Sequence, residues 1–341
     1  MPQIPNSGPI SLSDFAAEFG GTAPHSMSEY YRAGANVPSN NSSVPTAGAF
    51  RFGQMRGAIN AIINTLANTT NVNLATLFGD NWASSVPKEI IIPSGVTIGG
   101  TGSSDALTAP SGMGGTLTIT NAGNILGFGG AVATAGGNAI NIASANITVT
   151  NSGLIAGGGG GGGAGGTGGQ GGNGSQDAGF DNGEGAINNS CANCSNQAGC
   201  SASYISIYYN CTSASCCMGD GVRRTCVFHC HHPRTGGAGG AGGSGGIGQG
   251  YNQTNANGSA GGAGSNGAGS AGAGGTGGIG GNGATYGTAG SNGATGSTGA
   301  NGGISNGVAG SAGASGGAAG AAVIYSVAYT MNNTGTLAGA A

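Results

Sequence analysis

The chain has 341 residues, including 81 glycines, and only ten acidic and seven basic side chains, for a net charge of −3. This balance offers no basic surface for phosphate groups, so we expect no nucleic-acid partner. No apolar run reaches the roughly 20 residues that a membrane-spanning helix needs. The first residues, MPQIPNSGPISLSDF, lack the basic and apolar blocks of a signal peptide. We therefore expect no membrane span, and release from the producing cell by another route, such as lysis.

Residues 1–86 have the most mixed composition and are predicted to form a small, mainly helical N-terminal region. The segment SLSDF (11–15) recurs as SMSEY (26–30), and Ser26 with Glu29 has the spacing of a helix-capping box. A further helix is predicted near residues 50–67, because five apolar residues fall on one helical face there: Met55, Ile59, Ile62, Ile63 and Leu66. We interpret this face as a packing or assembly surface.

Residues 87–157 form a predicted β-rich connector. LTITNAGNILG (117–127) and ITVTNSGLIAG (147–157) share alternating Thr and aliphatic residues followed by Asn-x-Gly, which is typical of a strand entering a turn. The same pattern returns as YTMNNTGTLAG (329–339). We therefore expect residues 323–341 to return to a small β-layer next to the connector.

Between these repeats, residues 158–322 contain glycine in strict phase. Two of every three residues are glycine in 165–174, 236–248 and 274–283. One of every three is glycine in 258–267, 287–302 and 307–316. A polyproline II-type helix has three residues per turn and no internal hydrogen bonds, so neighbouring helices must pair its backbone groups. Glycine removes the Cβ that would keep them apart.

The predicted fold is therefore mainly irregular and β. It combines a polyglycine II helix bundle, a small flanking β-layer and the N-terminal region. One glycine face suits a helix at the edge of the bundle, and two faces suit a helix inside it. Unstructured Gly/Ser linker remains the alternative interpretation of the glycine tracts.

A cysteine-rich insertion at 177–235 interrupts the bundle and contains all eight cysteines of the chain. An even number of cysteines in so short a segment indicates a disulfide-stapled module, comprising Cys191, Cys194, Cys200, Cys211, Cys216, Cys217, Cys226 and Cys230. Zinc is the competing interpretation, since His229, His231 and His232 lie beside Cys226 and Cys230. A Cys/His nucleophile is a third alternative without a recognisable orienting acid. We expect no cofactor and no metal.

Aromatic and arginine side chains, which are enriched at binding hot spots, concentrate in the same insertion and in two shorter breaks of the glycine pattern. The candidate binding residues are Tyr204, Tyr208, Tyr209, Arg223, Arg224, Phe228, Tyr251 and Tyr286. YISIYY (204–209) also reads as a strand whose alternate residues fill the core of the module. Asp177, Asp181 and Glu184 form a small acidic segment, interpreted as a solvated turn or a weak calcium site.

Proline-free glycine tracts split by aromatic loops resemble the distal tail-fibre adhesins of T-even-type bacteriophages. SLSDFAAEFGG…SMSEYYRAG is similar to a segment of phage tail and fibre proteins. The resemblance implies a non-enzymatic adhesin at the virion's tail-fibre tip, whose loops near 177–235, 249–257, 284–286 and 303–306 bind a host-surface protein or glycan. It further implies attachment to other tail-fibre or baseplate proteins through residues 1–86. A structural fibre or filament subunit and an ice-binding protein are the alternatives.

Overall fold

A computed structural model describes residues 4–39, 41–178, 204–208 and 227–341. This described part is mainly β and irregular, as predicted, with two short α-helices, three parallel sheets and one antiparallel sheet. No described helix is long and apolar enough to cross a membrane.

The N-terminal region is less helical than predicted. Helix α1 (Leu12–Phe19) begins after Ser11, and two 3-10 turns span Met27–Tyr30 and Phe52–Met55. The capping box is confirmed, since the Glu29 carboxylate accepts a 2.9 Å hydrogen bond from the Ser26 N–H. These elements surround a small core that contains Phe15, Phe19, Tyr30, Val44 and Met55.

The helix predicted near 50–67 is wrong. After Met55 the chain passes through Gly57, whose φ of +71° is incompatible with a right-handed helix. Ile62–Thr65 then forms strand β1, which pairs in parallel with residues 88–91. The β-branched Ile62 and Ile63 favour a strand once such a partner is available, so tertiary pairing decides between two structures that the apolar spacing allowed.

Residues 62–156 and 323–338 form a three-sided parallel β-helix. Each full coil adds one strand to each of three parallel sheets. The first coil consists of β1, β2 (Thr69–Thr70) and β3 (Val72–Asn73), followed by helix α2 (Leu74–Phe78). The later strands are β4 (Lys88–Ile92), β5 (Thr97–Gly99), β6 (Leu107–Ala109), β7 (Leu117–Asn121), β8 (Asn124–Leu126), β9 (Ile140–Ile142), β10 (Ile147–Asn151) and β11 (Leu154–Ala156).

The C-terminal segment completes this β-helix. After the bundle and its insertion, which contains β12 to β14, strand β15 (Val323–Tyr325) pairs with β9, β16 (Thr330–Asn333) with β10, and β17 (Thr336–Ala338) with β11. The glycine-rich segment is thus an excursion between β11 and β15, and its two ends lie in adjacent positions of one coil.

The three Asn-x-Gly repeats lie directly side by side. Asn121, Asn151 and Asn333 occupy one register position. The amide nitrogen of Asn121 donates to the Asn151 side-chain oxygen at 2.7 Å, and Asn151 donates to Asn333 at 2.7 Å. Aliphatic residues such as Ile119, Val149 and Ile125 fill the interior. The repeat therefore continues from coil to coil as a ladder of side-chain amides over an apolar core.

The glycine-rich excursion forms six extended tracts that cross the bundle in alternating directions. We number them tract 1 (157–173), tract 2 (236–249), tract 3 (256–267), tract 4 (272–284), tract 5 (288–302) and tract 6 (305–320). The hydrogen bonds between the tracts define two layers of three tracts each. One layer contains tracts 3, 4 and 5, and the layer beneath it contains tracts 2, 1 and 6, in that order. Tracts consecutive in sequence are antiparallel, whereas tracts 1 and 5 are parallel, as are tracts 2 and 4.

Every third residue of a tract bonds to the same neighbour. The N–H groups of Gly162, Gly165 and Gly168 donate to carbonyls of tract 2 at 2.7–2.8 Å. Tracts 1 and 4, with two glycine faces, each bond to four other tracts, and tracts 3 and 6, with one face, each bond to two. Tracts 2 and 5 depart from this relation, because each has three neighbours, tract 2 with two glycine faces and tract 5 with one. In the seam between tracts 4 and 5 the Ser297 hydroxyl accepts the Thr276 N–H at 2.7 Å, so a small polar side chain fits where glycine was expected.

Candidate functional site

The loops of the bundle are divided between two ends. The proximal end lies against the β-helix and contains loops 250–255 and 285–287. There the Tyr251 N–H donates to the Gly127 carbonyl at 3.0 Å. The distal end contains loops 268–271 and 303–306, together with the segments through which the cysteine-rich insertion leaves and re-enters the bundle.

Backbone hydrogen bonds join the distal segments into one platform. The Gly303 N–H donates to the Ser270 carbonyl at 2.8 Å, and the Ile304 N–H donates to the Asn173 carbonyl at 2.9 Å. The Ser270 N–H donates to the Ser175 carbonyl at 2.8 Å, and its hydroxyl accepts the Ser175 N–H at 2.8 Å. Because these bonds connect three separate parts of the chain, the platform is held without a local hydrophobic core.

Two apolar side chains stand exposed at this platform. Ile304 is 61% exposed in the loop between tracts 5 and 6, and Val308 is 57% exposed one turn along tract 6. Exposure of a branched apolar side chain to water is unfavourable, and its burial by a second surface would lower the free energy. Sequence reasoning identified the loop at 303–306 but not these two residues. The available signal was an isoleucine placed where the glycine phase slips.

The cysteine-rich insertion rises from the same platform. Strand β12 (Gly174–Ala178) pairs antiparallel with β14 (Val227–Arg234), which also pairs with β13 (Tyr204–Tyr208). The guanidinium Nε of Arg234 donates to the Gln176 side-chain oxygen at 3.0 Å. The first and last strands of the insertion thus continue directly from tracts 1 and 2.

The structure places only some of the predicted insertion residues. Tyr204 and Tyr208 lie in β13, which matches the strand interpretation of YISIYY, and Phe228 and Cys230 lie in β14. The other candidates lie outside the described residues: Tyr209, Arg223, Arg224, Cys191, Cys194, Cys200, Cys211, Cys216, Cys217 and Cys226. Asp181 and Glu184 also lie outside them. Disulfide pairing, zinc ligation and receptor contact by these side chains therefore stay predictions.

Tyr251 and Tyr286 lie at the proximal end instead. The Tyr251 ring packs over Gly99 so closely that a Cβ at that glycine would lie 2.2 Å from the ring. The Tyr286 hydroxyl donates to the Gly250 carbonyl at 3.0 Å, and burial raises the pKa of this phenol. Both rings are half-buried where the bundle meets the β-helix, so the structure separates them from the distal candidates.

A buried lysine is the most unusual charged group in the described part of the chain. Lys88 is 1% exposed, and its ammonium donates to the carbonyls of Ser84, Val86 and Gly114 at 2.8–3.0 Å. Burial lowers the pKa of Lys88. This arrangement ties the 84–86 segment to strand β4 and has no acid beside it for proton transfer. Within the described residues, no group of three or more His, Cys, Asp or Glu side chains is arranged to hold a metal ion.

Comparisons with known proteins found one family model and one solved structure. The family model of phage tail fibre adhesin Gp38 matches residues 58–225, close to half of the chain, covering the β-helix up to β11, tract 1 and much of the insertion. A chain of the gp37-gp38 adhesin tip complex of the bacteriophage S16 long tail fiber aligns at 18% identity and a TM-score of 0.39, over 100% of this chain and 99% of that one. No curated protein sequence matches. The part of the chain from the β-helix to the insertion is thus similar to the phage tail fibre adhesins of the Gp38 family.

Proposed function

We propose that this chain is a receptor-binding adhesin of a phage tail fibre, and that it contacts its host-surface receptor through the distal end of the glycine bundle. The contacts comprise the cysteine-rich insertion and the exposed pair Ile304 and Val308. The observation that carries the proposal is the convergence of the insertion and loops 268–271 and 303–306 on one hydrogen-bonded platform, away from the β-helix. Recognition is binding without chemistry, with receptor specificity in the loops and shape maintained by the backbone.

The tracts of this scaffold are polyglycine II helices in this proposal. Three features support that assignment: the three-residue period of the inter-tract bonds, the pairing with several neighbours rather than two, and the absence of regular helix or strand within the tracts. At about 3.1 Å per residue, a tract of 13 residues spans about 40 Å. The tracts would therefore hold the receptor-binding loops about 40 Å from the β-helix.

Residues 1–86 attach the adhesin to its fibre in the same proposal. The separate small core of the N-terminal region supports an attachment module distinct from the bundle. The proposed division is residues 1–86, connector 87–157, bundle 158–322 with insertion 177–235, and returning segment 323–341; within the first part, residues 62–86 also contribute the first coil of the β-helix. The S16 structure, a gp37-gp38 complex, supports another tail-fibre protein as the partner. We further propose that the protein acts at the fibre tip of the virion, has disulfides rather than zinc in its insertion, and is not an enzyme.

Cell binding by matched isoleucine variants tests the distal assignment. Ile304→Ser changes a 61% exposed side chain at the platform, and Ile279→Ser changes a 59% exposed side chain in tract 4, about 20 Å from the distal end. Covering an isoleucine contributes up to roughly 1.5–3 kcal/mol. We expect Ile304→Ser to weaken saturable binding of labelled protein to host cells about tenfold or more, and Ile279→Ser to leave it unchanged.

A deletion completes the experiment. Replacing residues 179–226 with a short Gly-Ser turn keeps the β12–β14 ladder and should abolish binding. If Ile279→Ser weakened binding while Ile304→Ser and the deletion did not, the receptor would contact the flank of the bundle, and the distal assignment would be wrong. If no variant changed binding, the contacts would lie outside the bundle altogether.

A further inference from the structure

A second polar surface lies on the flank of the β-helix. A shallow cavity of about 340 Å³ crosses its last three coils and is lined by nine residues: Thr116, Leu117, Thr118, Asn146, Ile147, Thr148, Ala328, Tyr329 and Thr330. None of them carries a charge, and none belongs to the bundle loops considered above. The cavity is therefore separate from the distal platform.

The register of the sheet fixes the spacing of its hydroxyl groups. Thr118, Thr148 and Thr330 occupy one register position in consecutive coils. Parallel neighbours lie about 4.8 Å apart, so the three hydroxyls form a column at that interval. Thr118 and Thr148 are half-buried, as expected for groups in a groove. Backbone pairing holds the column whether or not a ligand is present, which reduces the entropy that binding would cost.

An aromatic pair adjoins the column at the last coil. The Tyr325 and Tyr329 rings lie 5.1 Å apart and are tilted by 57°. Tyr325 is 56% exposed although it shares a register position with the fully buried Ile142. Burial raises the pKa of Tyr329, so its phenol stays protonated at neutral pH. Tyrosines of this kind present an apolar ring and a polar tip to the same ligand.

Charge limits the ligands that this surface can take. The nearest carboxylate in register is Glu89, opposite Thr118, and its oxygen accepts the Thr120 hydroxyl at 3.2 Å. The lining residues include no cation that could bind a phosphate, sulfate or carboxylate group. Hydroxyl groups at fixed intervals beside the exposed ring of Tyr325 and the half-buried ring of Tyr329 match the alternating polar edges and apolar faces of a sugar.

We infer that this groove is a binding site for a neutral oligosaccharide, engaged by the Thr118–Thr148–Thr330 column and the Tyr325–Tyr329 pair. The protein would then have, besides the distal contact, a second site that binds uncharged glycan on the cell surface. The two sites would lie about a bundle length apart. The groove would hold the adhesin weakly on abundant glycan while the distal end finds its receptor.

The test uses the full chain, an array of neutral gluco-, manno- and galacto-hexasaccharides, and a polyuronate hexasaccharide as the anionic counterpart. Hits are measured by saturation-transfer NMR and calorimetry. Thr148→Val keeps the shape and strand preference of the side chain while removing its hydroxyl. Thr150→Val is the matched control, since Thr150 lies on the same strand two residues along and does not line the cavity.

We expect at least one neutral hexasaccharide to bind, Thr148→Val to weaken it about fivefold to tenfold, Tyr325→Ala to weaken it at least as much, and Thr150→Val to leave it unchanged. Ile304→Ser should leave glycan binding intact, so failure here is distinguishable from failure of the distal assignment. Absence of binding by every neutral glycan, equal effects of Thr148→Val and Thr150→Val, or preference for the polyuronate would overturn the inference. If the protein bound no glycan but showed thermal hysteresis that Thr148→Val abolished, the threonine column would instead be assigned to ice binding.

Discussion

Substitution of one interior glycine tests whether close backbone approach stabilises the bundle. A Cβ at Gly168 would lie 2.0 Å from the Gly275 carbonyl oxygen, whereas ordinary contact begins at 3.4 Å, so tracts 1 and 4 would have to separate by about 1.4 Å. That shift breaks or lengthens nearby bonds such as Gly275 N–H to Gly169 and Gly168 N–H to Gly240, both 2.8 Å. Two to four bonds at about 1 kcal/mol each predict that Gly168→Ala lowers the unfolding free energy by about 2–4 kcal/mol.

Gly262→Ala is the matched control. Gly262 occupies the phase of tract 3 that elsewhere contains Ala256, Ser259 and Ser265, and a Cβ there would have its nearest neighbour at 3.5 Å. Since alanine restricts the unfolded chain more than glycine, we expect no loss, or a gain of about 0.4–1 kcal/mol. Denaturant unfolding followed by circular dichroism measures both variants. Equal destabilisation by the two, or none by Gly168→Ala, would refute the argument that close approach requires glycine.

Two further substitutions test Tyr251, which the structure places at the proximal end, and Lys88, which sequence reasoning did not identify. Tyr251→Ala should lower the unfolding free energy by about 2 kcal/mol, because the ring packs over Gly99, yet leave cell binding unchanged; lost binding at full stability would assign Tyr251 to the receptor site. Lys88→Met should destabilise the protein by about 2–3 kcal/mol, because three half-buried carbonyls lose their donor. The pKa of Lys88 is lowered in the folded state, so the unfolded chain binds more protons, and the stability of the wild type relative to Lys88→Met should rise with pH up to about 10.5. A pH-independent difference in unfolding free energy would contradict that linkage.

The repeats and the glycine phases were predictable because both express a strict geometric condition. Asn121, Asn151 and Asn333 recur since each coil places an amide at the same register position. The three-sided β-helix was not predictable from them. Its first two coils lack the motif, and Ile92 occupies the position that Asn121 has in the next coil. With strands of two to five residues, alternation is too short to distinguish a closed coil from an open β-layer.

The candidate site was predictable only as far as loops follow from breaks in the glycine phase. The breaks around Tyr251 and Tyr286 are as clear in the sequence as the break at Ile304. Which end of the bundle a loop occupies depends on the direction of each tract. The direction of a tract depends on how many tracts the chain has formed since it left the β-helix. The composition pattern of a single tract does not encode that number. Tract 1 leaves the β-helix, so odd-numbered tracts end at the distal platform and even-numbered tracts end at the proximal end.

The insertion of the bundle into the β-helix explains why the loops and the glycine tracts have different sequence requirements. At one end the bundle is connected to strands β11 and β15, which pair with other strands of the β-helix. Along its length, glycines approach neighbouring tracts through backbone atoms alone: Gly165 faces the Gly278 carbonyl of tract 4, and Gly278 faces the Ala294 carbonyl of tract 5. Because backbone bonds do not depend on side-chain identity, a change in loops 268–271 or 303–306 removes little packing from the tracts. Stability therefore depends on the glycine phase, whereas in the proposed function receptor specificity depends on the distal residues. A substitution such as Ile304→Ser should consequently change binding. Its effect on the unfolding free energy should stay within about 0.5 kcal/mol, the range of an exposed-site substitution.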